Sequence, residues 1–150
     1  MVAPTSAQHV LDSVLASPLK GSELRKMVME MLSALPGYDW CGVYRFENRE
    51  LLLDEFVGAP TEHVRIPIGV GVCGTAVAEN RNLTIEDVSK VDNYLSCSFS
   101  TKSEIVVLIR DGKGKILGQI DIDGHRVGNF EKSDEAFLGR LAEMLAERWE

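Results

Sequence analysis

A chain of 150 residues, 45% hydrophobic and 26% charged, is one ordinary domain, able to bury about 70% of the surface its unfolded form exposes. Its net charge is −7, and Lys20, Arg25 and Lys26 are diluted by Glu23 and Glu30, which leaves no positive stripe for nucleic acid. No apolar run approaches the ~18 residues of a membrane span, and the opening "MVAPTSAQHV" lacks the basic and apolar regions of a secretory signal, so a cytoplasmic location is expected.

In chain order, Val10, Leu11, Val14 and Leu15 recur at helical spacing. Leu24, Val28, Met31, Leu32 and Leu35 do so again until Pro36-Gly37 stops the second helix. The N-terminal helices are thus expected over about 7–35. Next, "YDWCGVYRFE", "NRE" and "LLLDEFVG" read as strand, turn and strand. "HVRIPIG" is a short extended piece, residues 73–80 fit two turns of helix, and "LTIE" is a short strand. The polar stretch "DVSKVDNYLSCSFSTK" (87–102) reads mostly as loop. Two further strands, "SEIVVLIRD" and "KILGQIDID", are joined by the hairpin signal "GKG". The last helix carries Phe137, Leu141, Met144, Leu145 and Trp149 on its apolar side, with Asp134 and Glu135 suiting the dipole of its first turn. The order predicts an α+β fold in one domain over 1–150: a central antiparallel sheet with the N- and C-terminal helices packed on one face.

"IGVGVCGTAV" (68–77) contains the spacing Gly69-x-Gly71-x-x-Gly74 of a dinucleotide fingerprint. That reading requires a buried parallel strand before the glycines and a full helix after them. Arg65 and Pro67 do not suit such a strand, the helix is too short, and no further βα units follow. The alternatives are a Gly-rich turn with a buried cysteine, or a redox thiol, Cys73, at a helix N-terminus that favours its thiolate.

The three cysteines, Cys41, Cys73 and Cys97, form no C-x-x-C pair, and with His9, His63 and His125 they match no zinc spacing. Asp121 and Asp123, two apart on a strand, share a face; Trp40 and Tyr44, four apart, do the same. Either the aspartates face solvent while Ile120 and Ile122 pack inside, or they line a pocket.

"YDWCGVY", "GVGVCGTAV", "IEDV", "LSC", "SEIVV" and "GQIDID", in this order and with 24 residues from Cys73 to Cys97, resemble a GAF domain. More narrowly they resemble the free methionine-(R)-sulfoxide reductases, a stand-alone GAF family, from about residue 22 to the C-terminus. The resemblance implies a GAF fold with a closed pocket for free methionine-(R)-sulfoxide. It implies Cys97 as the nucleophile that becomes a sulfenic acid, and Cys73 as the resolving thiol of a Cys73–Cys97 disulfide. Thioredoxin, supplied by NADPH, is the implied reductant, with no bound cofactor and no metal. Trp40, Tyr44, Glu104, Asp121 and Asp123 match pocket residues. Clustered carboxylates raise one another's pKa, so Glu104 or Asp121 is the expected general acid, and Asp123 is expected to hold the substrate ammonium. Trp40 would wall the S-methyl group, and the 92–102 loop would serve as lid and N–H donor. A further cysteine common in the family is His63 here, which leaves Cys73 as the evident resolving thiol; Cys41 matches no catalytic position and reads as core. The apolar N-terminal helices imply a homodimer. The competing readings are a stand-alone GAF sensor of a small molecule and a thiol redox sensor without turnover.

Overall fold

The computed structural model describes residues 1–92, 94 and 100–150. Two helices, α1 (Pro4–Ala16) and α2 (Gly21–Ser33), precede the hairpin β1 (Trp40–Glu47) and β2 (Glu50–Val57). A crossover follows: β3 (Arg65–Pro67), α3 (Gly71–Glu79), β4 (Leu83–Ile85) and a short 3-10 turn at Val88–Lys90. A second hairpin, β5 (Ser103–Arg110) and β6 (Ile116–Gly124), leads to α4 (Lys132–Glu147). The strands make one six-stranded antiparallel sheet in the order β3-β2-β1-β6-β5-β4.

Strand alternation gives this sheet two different faces. Cys41, Val43, Ile105, Val107, Ile109, Ile120 and Ile122 point toward the terminal helices, where they meet Val10, Val14, Leu24, Val28, Met29, Leu32, Leu138, Leu141 and Leu145. The opposite face presents Trp40, Tyr44, Val106 and Leu108 to Ile66 and to Val72, Cys73, Ala76 and Val77 of α3. Both faces are therefore covered. This explains why "SEIVVLI" is buried at every position: a central strand between two layers has no solvent side. Each fully buried Ile or Val is worth about 1.5–3 kcal/mol, so β5 and β6 anchor the molecule.

The helices differ from their sequence pattern in detail. Val10 and Val14 are buried, whereas Leu15 is 76% exposed, because α1 touches the core along a narrow stripe. In α2 the buried set is Leu24, Arg25, Val28, Met29 and Leu32, so Met29 takes the inward place that the pattern assigned to Met31. Arg25, one of the basic residues of the second helix, is 5% exposed. Its Nε donates to Asp54 Oδ2 at 2.6 Å, and its guanidinium lies 4.2 Å from the centre of the Trp149 ring. Asp54 is reachable because the β1–β2 register skips it, passing from Val43↔Glu55 to Tyr44↔Leu53; such a bulge re-aims a side chain. Asp134 opens α4 as a buried acceptor for Tyr38 Oη at 2.6 Å, Val2 N at 2.9 Å and Glu131 N at 2.8 Å.

Candidate active site

Cross-strand register assembles the site. β1, β6 and β5 pair so that Trp40, Asp123 and Glu104 stand in one row, Gly42, Asp121 and Val106 in the next, and Tyr44, Gln119 and Leu108 in a third. Partners directly opposite in antiparallel strands project to the same face. Residues scattered from 40 to 123 thus converge beneath α3. Asp121 and Asp123 are wholly buried and Glu104 is 2% exposed. The aspartates do not face solvent, and neither do Ile120 and Ile122, which are buried on the other face.

The glycines shape the entry to α3. Gly69 and Gly71 have φ of +86° and +66°, the left-handed region that suits glycine. A Cβ on Gly74 would stand 2.6 Å from the Pro67 carbonyl oxygen, so the helix can approach the preceding turn only without a side chain there. The Gly69 and Gly74 amides donate to Gly74 O at 2.8 Å and Val70 O at 3.0 Å. They close a turn and do not form a phosphate cradle. β3 is a three-residue edge strand and α3 has nine residues, which fits no dinucleotide unit. The helix begins two residues earlier than expected, so Cys73 lies within its first turn.

Cys73 points its thiol at Glu104, donating to Oε2 at 3.7 Å. Burial, followed by the charges of Asp121 and Asp123, holds the Glu104 pKa well above the usual carboxylate range. Burial also raises Asp121, against the opposing effect of its interactions with Glu104 and Cys73. The pair therefore retains a proton in conditions where an exposed glutamate would be ionised. Among the described residues no N–H or hydroxyl group donates to either Asp121 oxygen, whose partners are Glu104 and Cys73. Asp123 Oδ2 accepts from Thr101 Oγ1 at 3.4 Å. A thiol beside a protonated carboxyl, with two more carboxylates behind it, can supply electrons and a proton to one small ligand.

An aromatic wall closes one side. The Trp40 indole lies in a slot made by two glycines: a Cβ on Gly42 would come within 2.4 Å of the ring, and one on Gly58 within 2.6 Å. Trp40 Nε1 donates to Ala59 O at 2.9 Å and Tyr44 Oη to His63 O at 2.9 Å. These two bonds hold the segment 58–64 against the sheet. His63 thereby lines a small cavity together with Tyr44, Cys73 and Asp121.

Cys97, expected as the nucleophile, lies outside the described residues, as does the centre of the expected lid; the ends of that loop are anchored by Val88 N to Lys102 O at 2.9 Å and Lys102 N to Gly124 O at 2.8 Å. Cys41 is buried on the far face, its thiol directed at Tyr38 O at 3.7 Å, and burial pushes that thiol strongly upward. His9 and His125 are exposed, and among the described residues no group of cysteines and histidines comes together. Sequence reasoning missed Gln119, which is fully buried and donates through Nε2 to Cys73 O at 3.0 Å. Its signal was present: a polar residue two before Asp121 on the same strand face. The glycine slot for Trp40 had no comparable signal.

Fold and site together define a GAF-type domain with a buried thiol–carboxylate pocket, and residues 22–149 match the GAF domain family. A free methionine-R-sulfoxide reductase of Escherichia coli is 41% identical over 111 residues, covering 74% of this chain and 66% of the relative. The type II free methionine-R-sulfoxide reductase of Thermoplasma acidophilum superposes with a TM-score of 0.75 at 35% identity, over 95% of this chain and 93% of the other. The fRMsr of Staphylococcus aureus, solved in complex with substrate, superposes at 0.87 with 31% identity, over 100% and 99%. The chain belongs to the GAF family and, within it, to the free methionine-R-sulfoxide reductases.

Proposed function

We propose that this protein reduces free L-methionine-(R)-sulfoxide to methionine, with Cys97 as nucleophile, Cys73 as resolving thiol and Glu104 as proton donor. The observation that carries the reading is the buried cluster of Glu104, Asp121 and Asp123 on two adjacent rows of the sheet, with Trp40 beside Asp123 and the Cys73 thiol directed at Glu104. In this reaction the Cys97 sulfur attacks the sulfoxide sulfur while Glu104 protonates the oxygen. As the transient bond between the two sulfurs and the sulfoxide S–O bond break, the protonated oxygen passes to Cys97, which releases methionine and leaves Cys97 as a sulfenic acid. Cys73 then attacks Cys97 Sγ, water leaves, and a Cys73–Cys97 disulfide forms. A thioredoxin-type dithiol, recharged by NADPH, reduces that disulfide and restores two thiols. One sulfoxide and two reducing electrons with two protons thus give one methionine and one water.

Asp123 and Asp121 suit the substrate ammonium, because charge-assisted bonds in a dry pocket are strong. The Trp40 face suits an S-methyl group and a sulfur gaining positive charge. The homodimer expected through α1 and α2 belongs to the same reading, and sedimentation as a species of one chain at micromolar concentration would overturn that part. The reaction is tested by coupling NADPH oxidation through thioredoxin to free methionine-(R)-sulfoxide. Turnover is expected in wild type, to vanish in Cys97→Ser and to fall in Cys73→Ser. Loss in Cys73→Ser alone reverses the two thiol roles.

A further inference from the structure

The side chains placed around the reactive proton are also a set of metal donors. Among the described residues, Cys73, Glu104 and Asp121 form a group whose ligand atoms all lie within 4.8 Å of one another, and all three are buried. Cys73 Sγ stands 3.7 Å from Glu104 Oε2. In a tetrahedral zinc site, Zn–S of about 2.3 Å and Zn–O of about 2.0–2.2 Å place sulfur and oxygen about 3.6 Å apart. The observed edge already has nearly that length.

A second observation points to a ligand. Asp121 is wholly buried, and among the described residues no N–H or hydroxyl group donates to either of its oxygens, whose partners are the other two members of the group, Glu104 and Cys73. Gln119 Oε1, two residues earlier on the same face, has no partner among the described residues. Buried carboxylates in native structures are paired or bind metals. A site of carboxylates alone would suit magnesium or calcium; a thiol ligand shifts the preference toward zinc.

We propose that the reduced protein binds one zinc ion through Cys73 Sγ, one Glu104 oxygen and one Asp121 oxygen, and that zinc so bound arrests the reductase. Binding displaces the thiol proton and the carboxyl proton, both released to solvent. The metal then occupies the thiol that must resolve the sulfenic acid and the acid that must protonate the oxygen. The inhibitory consequence rests on the reaction proposed above; the binding does not.

The test uses the reduced full chain after metal removal. Zinc affinity is measured by competition with a chromophoric chelator, and cobalt(II) serves as a spectroscopic probe. One equivalent of zinc is expected, with a thiolate-to-cobalt charge-transfer band that disappears in Cys73→Ser. Affinity is expected to fall at least about tenfold in Asp121→Asn, since even outer-shell partners are worth about 10–100-fold. His9→Ala and His125→Ala, both exposed, are expected to bind as wild type does, and near-UV circular dichroism establishes that each variant is folded. Absent stoichiometric binding, undiminished affinity in folded Asp121→Asn, or loss in a histidine variant overturns the site. Zinc that binds without slowing an active enzyme, reversibly by chelator, overturns the arrest. An inactive enzyme that still binds zinc through Cys73 and Asp121 would instead contradict the proposed reaction and support the site.

Discussion

Glu104→Gln isolates the proton. The substitution keeps shape and an N–H donor beside Asp121 but removes the transferable hydrogen. Positioned general acids contribute about 10²–10⁴-fold, so kcat with free methionine-(R)-sulfoxide is expected to fall by that factor, or about 2.7–5.4 kcal/mol of barrier. Stability changes in the opposite direction. Burial and two facing carboxylates raise the folded-state pKa of Glu104 above its unfolded value. The folded state therefore binds more protons than the unfolded state between the two pKa values. In wild type this contribution is fully present below the unfolded pKa, near 4.3, and is lost as pH rises, with a slope of up to about 1.4 kcal/mol per pH unit. Glutamine has no such slope, so the variant gains on wild type from weakly acidic pH upward, while the two converge in acid. The assays are steady-state kinetics across pH and urea unfolding at several pH values. Activity within a factor of ten of wild type with an unchanged pH profile would refute the acid role. A Glu104→Gln protein less stable than wild type by the same amount at every pH would refute the proton-retention argument.

Three other perturbations probe the frame. Gly42→Ala places a methyl 2.4 Å from the indole of Trp40; overpacking of this kind costs about 1–3 kcal/mol, and KM is expected to rise because the displaced ring is the pocket wall, as urea unfolding and kinetics will show. Arg25→Met leaves Asp54 without the 2.6 Å partner that it has now, and breaking a largely buried pair costs about 3–5 kcal/mol, read as a lower urea midpoint. Cys41, buried with its thiol pKa raised, is expected to resist alkylation until the chain unfolds, and Cys41→Ala to retain turnover; rapid labelling of Cys41 in the native protein, read by mass spectrometry, would contradict its placement in the core.

Much of the architecture was legible in the sequence because the strands carry strong β-branched runs and the helices a 3.6-residue period. The two hairpins and α4 follow directly from those patterns. Burial was less legible. An alternation of aspartate and isoleucine in "IDID" has the same appearance whether one face is wet or both are covered, and only the seating of α3 over Asp121 decides between them. The burial of Arg25 was not legible for a similar reason: its partner, Asp54, comes from a bulge 29 residues away, which no local pattern records. The convergence of Trp40, Glu104 and Asp123 depends on strand register, and register is a property of the pairing. Gln119 escaped because its partner is a backbone carbonyl, Cys73 O, which carries no side-chain signature.

The central claim is chemical: that this pocket turns over one small sulfoxide. Its most direct test is to incubate the protein and excess dithiothreitol with a mixture of the two sulfur epimers of free methionine sulfoxide, following both by NMR. The account predicts that the R epimer is converted to methionine while the S epimer persists, and that Glu104→Gln nearly abolishes the conversion. Persistence of both epimers with folded, fully reduced protein would contradict it and leave a GAF domain that binds a ligand without transforming it.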